Sequence, residues 1–393
     1  MGKYKLREIQ YIAEFNPSEQ LPKGSIAKNV PMALIKEFER KIAGYEISEY
    51  KSGAKFRNRD TLLAKITPCL ENGKTAFVDI LDNDEVAFGS TEFIVLRAKE
   101  NTDAEFLYYF SRSPAFRKKA ISCMEGTSGR QRVNEGTLKL LELPIPEFKT
   151  QQKIAKILTA LDRKIALNNQ INSELEKMAK TLYDYWFVQF DFPDENGKPY
   201  KSSGGKMVWN EVLKREVPLG WGDGIIENNL AKVPNSNKIQ SKEIKCNGKI
   251  PVIDQSQDYI CGFTNDDDSI LIPNDAHIIF GDHTRKVKLV NFPYARGADG
   301  TQVIISNNER LPNYLFYQMI LEIDLSNYGY ARHYKFLKES RILVPSKDIA
   351  QKFNQKASSF FDLWKRNLKQ NQTLTQYRDF LLPMLMNGQV EIL

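Results

Sequence analysis

The sequence is poor in the residues that build metal centres and disulfide frameworks. It has four cysteines and three histidines among 393 residues. Cys69, Cys123, Cys246 and Cys261 form no C-x-x-C pair, which argues against a thiolate zinc site or a disulfide scaffold and for a reducing compartment. His277, His283 and His333 do not fall at metal-ligand spacing. No run approaches the ~18–20 apolar residues of a membrane-spanning helix. The start, MGKYKLREIQ, is polar and lacks an apolar signal core. The expectation is a soluble cytoplasmic protein with no metal of its own and no membrane contact.

Catalytic motifs are also missing. Cys69-Leu70-Glu71-Asn72-Gly73-Lys74-Thr75 ends like a phosphate-binding loop, but Pro68 stands where that loop needs its first glycine. No G-x-G-x-x-G occurs, which removes support for a dinucleotide fold. Asn16-Pro17-Ser18 lacks the second proline and the aromatic of the base-methylating tetrapeptide. The acids and lysine of a metal-dependent nuclease do not assemble: Pro193-Asp194 is followed by Glu211-Val212-Leu213-Lys214, one residue out of register, and Glu243-Ile244-Lys245, which has the right spacing, lies far off in the other half. Asp266-Asp267-Asp268 has no further oxygen ligands at calcium-loop spacing and reads as a solvated turn. No catalytic residue is assigned.

What the chain does have is a normal globular balance, 41% hydrophobic and 27% charged. Its charge is modestly basic: 56 Lys and Arg less 49 Asp and Glu gives +7. That permits nucleic-acid binding without demonstrating it. It also repeats itself. Ala104-Glu105-Phe106-Leu107-Tyr108-Tyr109 matches Pro312-Asn313-Tyr314-Leu315-Phe316-Tyr317, and Asp60-Thr61-Leu62-Leu63 resembles Asp268-Ser269-Ile270-Leu271, both at a shift of 208. Gln152 aligns with Gln351, Asn168 with Asn367 and Asn172 with Asn371 at a shift of 199. The protein is two copies of one plan, a strand-containing domain followed by a long helix.

The strand-containing parts read as α+β, with helices over Thr102–Arg112 and Leu311–Glu322. The long helices carry heptad seams. The first runs Ile154, Leu158, Leu161, Ile165, Asn168, Asn172, Leu175, Ala179, Leu182, Trp186. The second runs Phe353, Ala357, Phe360, Trp364, Asn367, Asn371, Leu374, Arg378, Leu381, Leu385. Asparagine in an apolar seam costs stability but fixes register. Antiparallel pairing sets Asn168 opposite Asn371 and Asn172 opposite Asn367. It also sets Leu161 opposite Arg378, whose side chain is expected to snorkel outward. Pro383 is expected to end or kink the second helix.

The expected architecture is therefore α+β with a pseudo-twofold internal repeat. A first domain covers 1–146, a first long helix 147–188, a Pro-, Gly- and Ser-rich linker 189–220, a second domain 221–346 and a second long helix 347–393. Polar, basic, glycine-containing loops recur at matching places in both copies. The first copy offers Lys51, Lys55, Arg57, Asn58 and Arg59; then Lys65, Thr67, Asn72 and Lys74; then Ser128, Arg130, Gln131 and Arg132. The second offers Asp282, His283, Thr284, Arg285 and Lys286, with Arg296; then Tyr330, Arg332, His333, Tyr334 and Lys335. Arg and Lys supply phosphate contacts and bidentate guanine readout; Asn and Gln read adenine.

These features resemble the specificity subunits of Type I restriction-modification enzymes. The resemblance rests on the doubled plan and the Pro146…Gln152-Lys153-Ile154-Ala155 start of the long helix. It rests also on Trp186-Phe187-Val188-Gln189-Phe190-Asp191-Phe192-Pro193 through Lys198-Pro199-Tyr200-Lys201-Ser202-Ser203-Gly204-Gly205, and on Pro218-Leu219-Gly220-Trp221. It covers essentially the whole chain. The second copy departs locally, reading Gln351-Lys352-Phe353-Asn354 at its helix start. The resemblance implies two target recognition domains, each reading one part of a split double-stranded DNA sequence. They would be joined by an antiparallel coiled coil that sets the spacing and docks two methyltransferase subunits. Restriction and translocase subunits would complete the complex. S-adenosylmethionine, ATP and magnesium would sit on those partners, and this chain would hold no cofactor. From the residues alone, two other readings stay open: a stand-alone DNA-processing nuclease or methyltransferase with a cryptic site, and a coiled-coil scaffold that never touches DNA.

The purified chain is predicted to be inert in DNA cleavage, ATP hydrolysis and methyl-transfer assays. Activity that disappears on mutating one acidic residue would reinstate the stand-alone enzyme.

Overall fold

The β-rich runs become short strands, several buried on both faces, as in Thr61–Ala64, Thr75–Phe77 and His277–Gly281. The computed structural model describes residues 4–127, 129–329 and 332–390. Among them the α-helices are α1 (Ala104–Arg112), α2 (Pro114–Ser122), α3 (Glu135–Leu140), α4 (Phe148–Tyr183), α5 (Asn313–Leu321), α6 (His333–Glu339) and α7 (Lys347–Met386). The chain divides into two units, Met1–Leu167 with Gln370–Leu393, and Asn168–Lys369. Both long helices, α4 and α7, are divided between the units. Each unit is a strand domain packed on half of each helix.

In the first unit one antiparallel sheet has the order Ala13–Phe15, Phe93–Ala98, Thr61–Ala64, Thr75–Phe77. A second sheet has the order Glu46–Glu49, Ile26–Val30, Ala87–Gly89, Ala54–Phe56, with one parallel pair between Ile26–Val30 and Ala87–Gly89. Strand Tyr4–Glu8 pairs with Glu142–Pro146 just ahead of α4. The Asp103 carboxylate accepts Phe106 N–H at the start of α1, an N-cap legible from the sequence. Two helices were not expected. α2 follows α1 directly, with Ser113 as cap and Pro114 in its first turn, and Asn134 caps α3. Phe106, Tyr108, Tyr109, Phe110 and Phe116 form the core with Ile154 and Leu158 of α4 and Leu382, Leu385 and Met386 of α7. Pro383 lies inside the last turn of α7, which ends at Met386.

One expectation fails here. Arg378 does not snorkel outward but is buried, with Nη1 2.7 Å from Asp162 Oδ1. The sequence seam considered only Leu161 as its neighbour. Asp162 beside it supplies the counter-charge, and Tyr109 Oη donates to the other carboxylate oxygen at 2.6 Å. Asp379 accepts from Arg378 Nε at 2.9 Å and pairs with buried Arg112 at 3.4 Å. Burial alone would lower the Arg378 pKa, but the Asp162 and Asp379 carboxylates raise it, so the guanidinium stays charged. Burial, reinforced by Asp162, pushes the Tyr109 phenol up, so it remains a donor.

The second unit repeats the plan. Val287–Val290, His277–Gly281 and Thr301–Ile304 form an antiparallel sheet. Gly262–Thr264, Ile250–Ile253, Tyr294–Arg296 and Ile270–Leu271 form a mixed one, its parallel pair between Ile250–Ile253 and Tyr294–Arg296. Gly222–Ile225 pairs with Arg341–Val344 just ahead of α7, as the equivalent strands do ahead of α4. The α4–α7 contact is antiparallel. Asn367 Nδ2 donates to Asn172 Oδ1 at 2.9 Å, and Trp364 Nε1 donates to Glu176 one turn further along α4 at 3.0 Å. Asn354, the departure at the second helix start, has a partner for each end of its amide: it accepts Tyr314 N–H at 3.1 Å and donates to Asp275 at 3.1 Å.

The segment read as a linker is built into this unit. After α4 a π-helical turn covers Asp184–Val188. Phe192 stacks on Tyr200 at 4.7 Å and on Trp221 at 5.0 Å. Asp191 accepts both the backbone N–H and the hydroxyl of Ser202. Met207–Asn210 and Arg215–Pro218 form a hairpin. The Pro-, Gly- and Ser-rich composition is that of tight turns between buried aromatics, not of a free tether.

Two stability predictions follow from this packing. Asp162→Ala leaves the buried guanidinium with half-exposed Asp379 alone and should cost up to about 3–5 kcal/mol in denaturant unfolding, while the Asp162→Leu/Arg378→Leu double variant should recover part of it, Tyr109 Oη still lacking its Asp162 acceptor. His277 is buried against Tyr294 Oη at 3.1 Å, and burial lowers its pKa to about 4. The unfolded chain then binds the extra proton first. Stability present above about pH 6.5 should therefore fall as pH drops toward 4, by on the order of 3 kcal/mol. His277→Gln should flatten that pH dependence of unfolding.

Candidate nucleic-acid interface

The loops of the first unit converge because backbone hydrogen bonds tie them together. Thr67 N–H donates to Gln131 O at 3.0 Å, Val133 N–H donates to Lys65 O at 2.9 Å, and Ile66 bridges Arg132. The Lys65–Lys74 loop and the hairpin ending in Arg132–Val133 thus share one surface. Several basic groups on it are already engaged. Arg57 Nε reaches Glu19 at 2.6 Å, and Lys55 Nζ reaches the Glu19 carbonyl at 2.8 Å. Arg97, paired with Glu19 and Asp60, completes this network, which the sequence did not reveal. The Asn58 amide clamps the backbone of Leu81 through both ends, which makes it a loop brace. Lys74 Nζ donates to Met32 O, Lys65 lies 3.6 Å from Glu135, and Thr67 Oγ1 contacts Met124 Sδ. Arg132 is held by Glu92. Lys51, Arg59, Asn72, Arg130 and Arg132 are exposed, and Gln131 is half-buried. Ser128 lies outside the described residues.

In the second unit the two candidate loops are tied through Asp282. Its carbonyl accepts His333 N–H at 3.0 Å and meets His333 Nδ1 at 2.9 Å; its carboxylate accepts Tyr334 N–H at 2.8 Å. Asp282 and His333 are buried and hold the loop against α6 rather than facing outward. The run Arg332 to Lys335, read as a loop, is the cap and first turn of that helix. Gln255, not singled out in the sequence, braces the other loop: its Oε1 accepts His283 N–H at 3.1 Å and its carbonyl accepts Thr284 Oγ1 at 2.8 Å. Gly281 and Gly300 let it approach, since a Cβ on either would stand within 3 Å of Gln255 atoms. Arg285 donates to Leu325 O at 3.3 Å, and Arg296 is half-buried in its strand. His283, Thr284, Arg285, Lys286, Arg332 and Lys335 are exposed, and Tyr334 is half-buried. Tyr330 lies outside the described residues.

Each unit thus presents two braced loops with arginines and lysines outward, the composition that binds nucleic-acid backbones and reads base edges. Among the described residues no three His, Cys, Asp or Glu side chains cluster as a metal site. No described helix is long and apolar enough to cross a membrane. The clefts beside these loops are open. One of about 390 Å³ is bordered by Glu19, Lys55, Lys65 and Phe93.

Comparison with known proteins gives the same direction. Residues 4–177 match the Type I restriction modification DNA specificity domain. The specificity subunit of the Type I restriction enzyme MjaIX of Methanocaldococcus jannaschii is 27% identical over 75% of this chain and 71% of its own length. That of HindI of Haemophilus influenzae is 27% identical over 84% of this chain and 86% of its own. The crystal structure of a Type I system S subunit from M. genitalium superposes with a TM-score of 0.54 at 18% identity, covering 97% of this chain and 96% of that one, a likeness of fold.

Proposed function

We propose that the chain is the non-catalytic DNA sequence-recognition component of a Type I restriction-modification system, and that its two units read the two parts of a split target; the match of residues 4–177 to the specificity domain supports this. The observation that carries this reading is the repeated topology bearing different outward side chains. The parallel strand pair, the strand pair ahead of each long helix and the two-loop surface recur in both units. The first unit offers Arg59, Asn72, Arg130 and Arg132; the second offers His283, Arg285, Lys286, Arg332 and Lys335. One scaffold with two sets of readers suits an asymmetric, two-part sequence.

The long helices set the separation of the half-sites and dock methyltransferase subunits, two per chain. Met178 and Tyr185 in one unit, and Tyr377 and Phe380 in the other, are exposed apolar side chains suited to such contacts. The methyltransferase partners bind S-adenosylmethionine, the restriction and translocase partners bind ATP and magnesium, and the assembly works in the cytoplasm.

Methylation mapping in cells that carry the chain with its partner subunits tests this. The expected result is one split target, with Arg130→Ala or Arg132→Ala changing one half and Arg285→Ala or Arg332→Ala changing the other. First-unit substitutions that altered both halves equally would refute the two-reader assignment.

A further inference from the structure

Arg132 is held in an unusual way for an outward cation. Glu92 precedes strand Phe93–Ala98, and its carbonyl accepts Lys65 N–H at 2.9 Å, which anchors its backbone. Its carboxylate takes Arg132 Nε at 2.9 and 3.1 Å and Nη2 at 2.7 Å. The Arg132 side chain is nevertheless 51% exposed, against 23% for Glu92. The pairing uses the Nε–Nη2 edge of the guanidinium. The Nη1–Nη2 edge is left over, and Nη1 has no hydrogen-bond partner among the described residues. A guanidinium is planar with five N–H donors in fixed directions, so holding one edge also aims the other.

Two consequences oppose each other. The adjacent carboxylate cancels most of the net charge that would draw Arg132 to a phosphate. It leaves two parallel in-plane donors intact and oriented. The major-groove edge that matches such a pair is O6 and N7 of guanine. We propose that Arg132 reads a guanine in the half-site of the first unit, and that Glu92 is the positioning residue that makes it a base reader instead of a phosphate contact. This rests on the two-reader function proposed above.

The test uses the full chain assembled with its methyltransferase subunits. Binding is measured against the wild-type target, against duplexes substituted at each position of both half-sites, and against unrelated DNA, over a range of salt. Arg132→Lys should lose discrimination at one G·C pair by about ten- to hundredfold and leave other positions unchanged. Glu92→Gln should lose much of the same discrimination while binding unrelated DNA as well or better. Arg132→Ala should leave the slope of log affinity against log salt nearly unchanged, whereas a lost phosphate contact lowers it by about 0.9. Uniform weakening on all sequences, or discrimination that survives both Arg132 variants, overturns the proposal while leaving the two-reader function standing. A wild-type complex with no split target overturns both.

Discussion

A buried polar contact between two helix segments about two hundred residues apart in the chain holds the architecture in place. In the second unit it is the amide pair of Asn172 and Asn367; in the first it is the Asp162–Arg378 ion pair with Tyr109. Apolar seams tolerate sliding by a heptad because leucine meets leucine again. A buried amide or charge does not, because every slipped register leaves a polar group without a partner in a dry interior. Each strand domain is packed on the helix segments so fixed, and its loops point where that packing sends them.

Much of this was legible in the sequence. The repeat and both long helices with their paired asparagines follow from spacing; the antiparallel sense that sets Asn172 against Asn367 comes from the resemblance, since the spacing fits a parallel pair equally well. Arg378 was misjudged because a one-dimensional seam lists only residues on the same stripe. Asp162 lies one step off that stripe, and Tyr109 arrives from α1, so the compensating charge is a tertiary fact. The loops show the same limit. Asp282 and His333 have the residue types of a binding site, and only the fold reveals that they fasten one loop to a helix. Gln255 and Glu19 carry no local signature at all, since a brace is defined by what it touches. The aromatics of 190–221 were hidden by the turn-forming residues between them.

Each unit mixes paired and unpaired cations. In the first, Arg57, Lys65 and Arg132 each face a carboxylate, whereas Arg59 and Arg130 are exposed with no carboxylate partner among the described residues. In the second, Lys286 acts on Glu176 and Arg285 on Asp324, whereas Arg332 and Lys335 carry no carboxylate partner among the described residues. Long-range attraction to a polyanion comes mainly from the uncompensated cations, and a carboxylate-held cation gains direction in exchange for attraction.

The closure of the first unit by Gln370–Leu393 also dictates an order of events during synthesis. Asn168–Lys369 is contiguous and has all its parts once that stretch has left the ribosome. The first unit emerges earlier yet lacks Leu382, Leu385 and Met386, which belong to its core. Those side chains are made more than two hundred residues after the sheets they cover. The N-terminal domain therefore waits with an apolar face open while the later one completes, the reverse of the usual vectorial sequence. A nascent chain of this kind is most vulnerable to aggregation, and most in need of a chaperone, in the interval before its final turns of helix are translated.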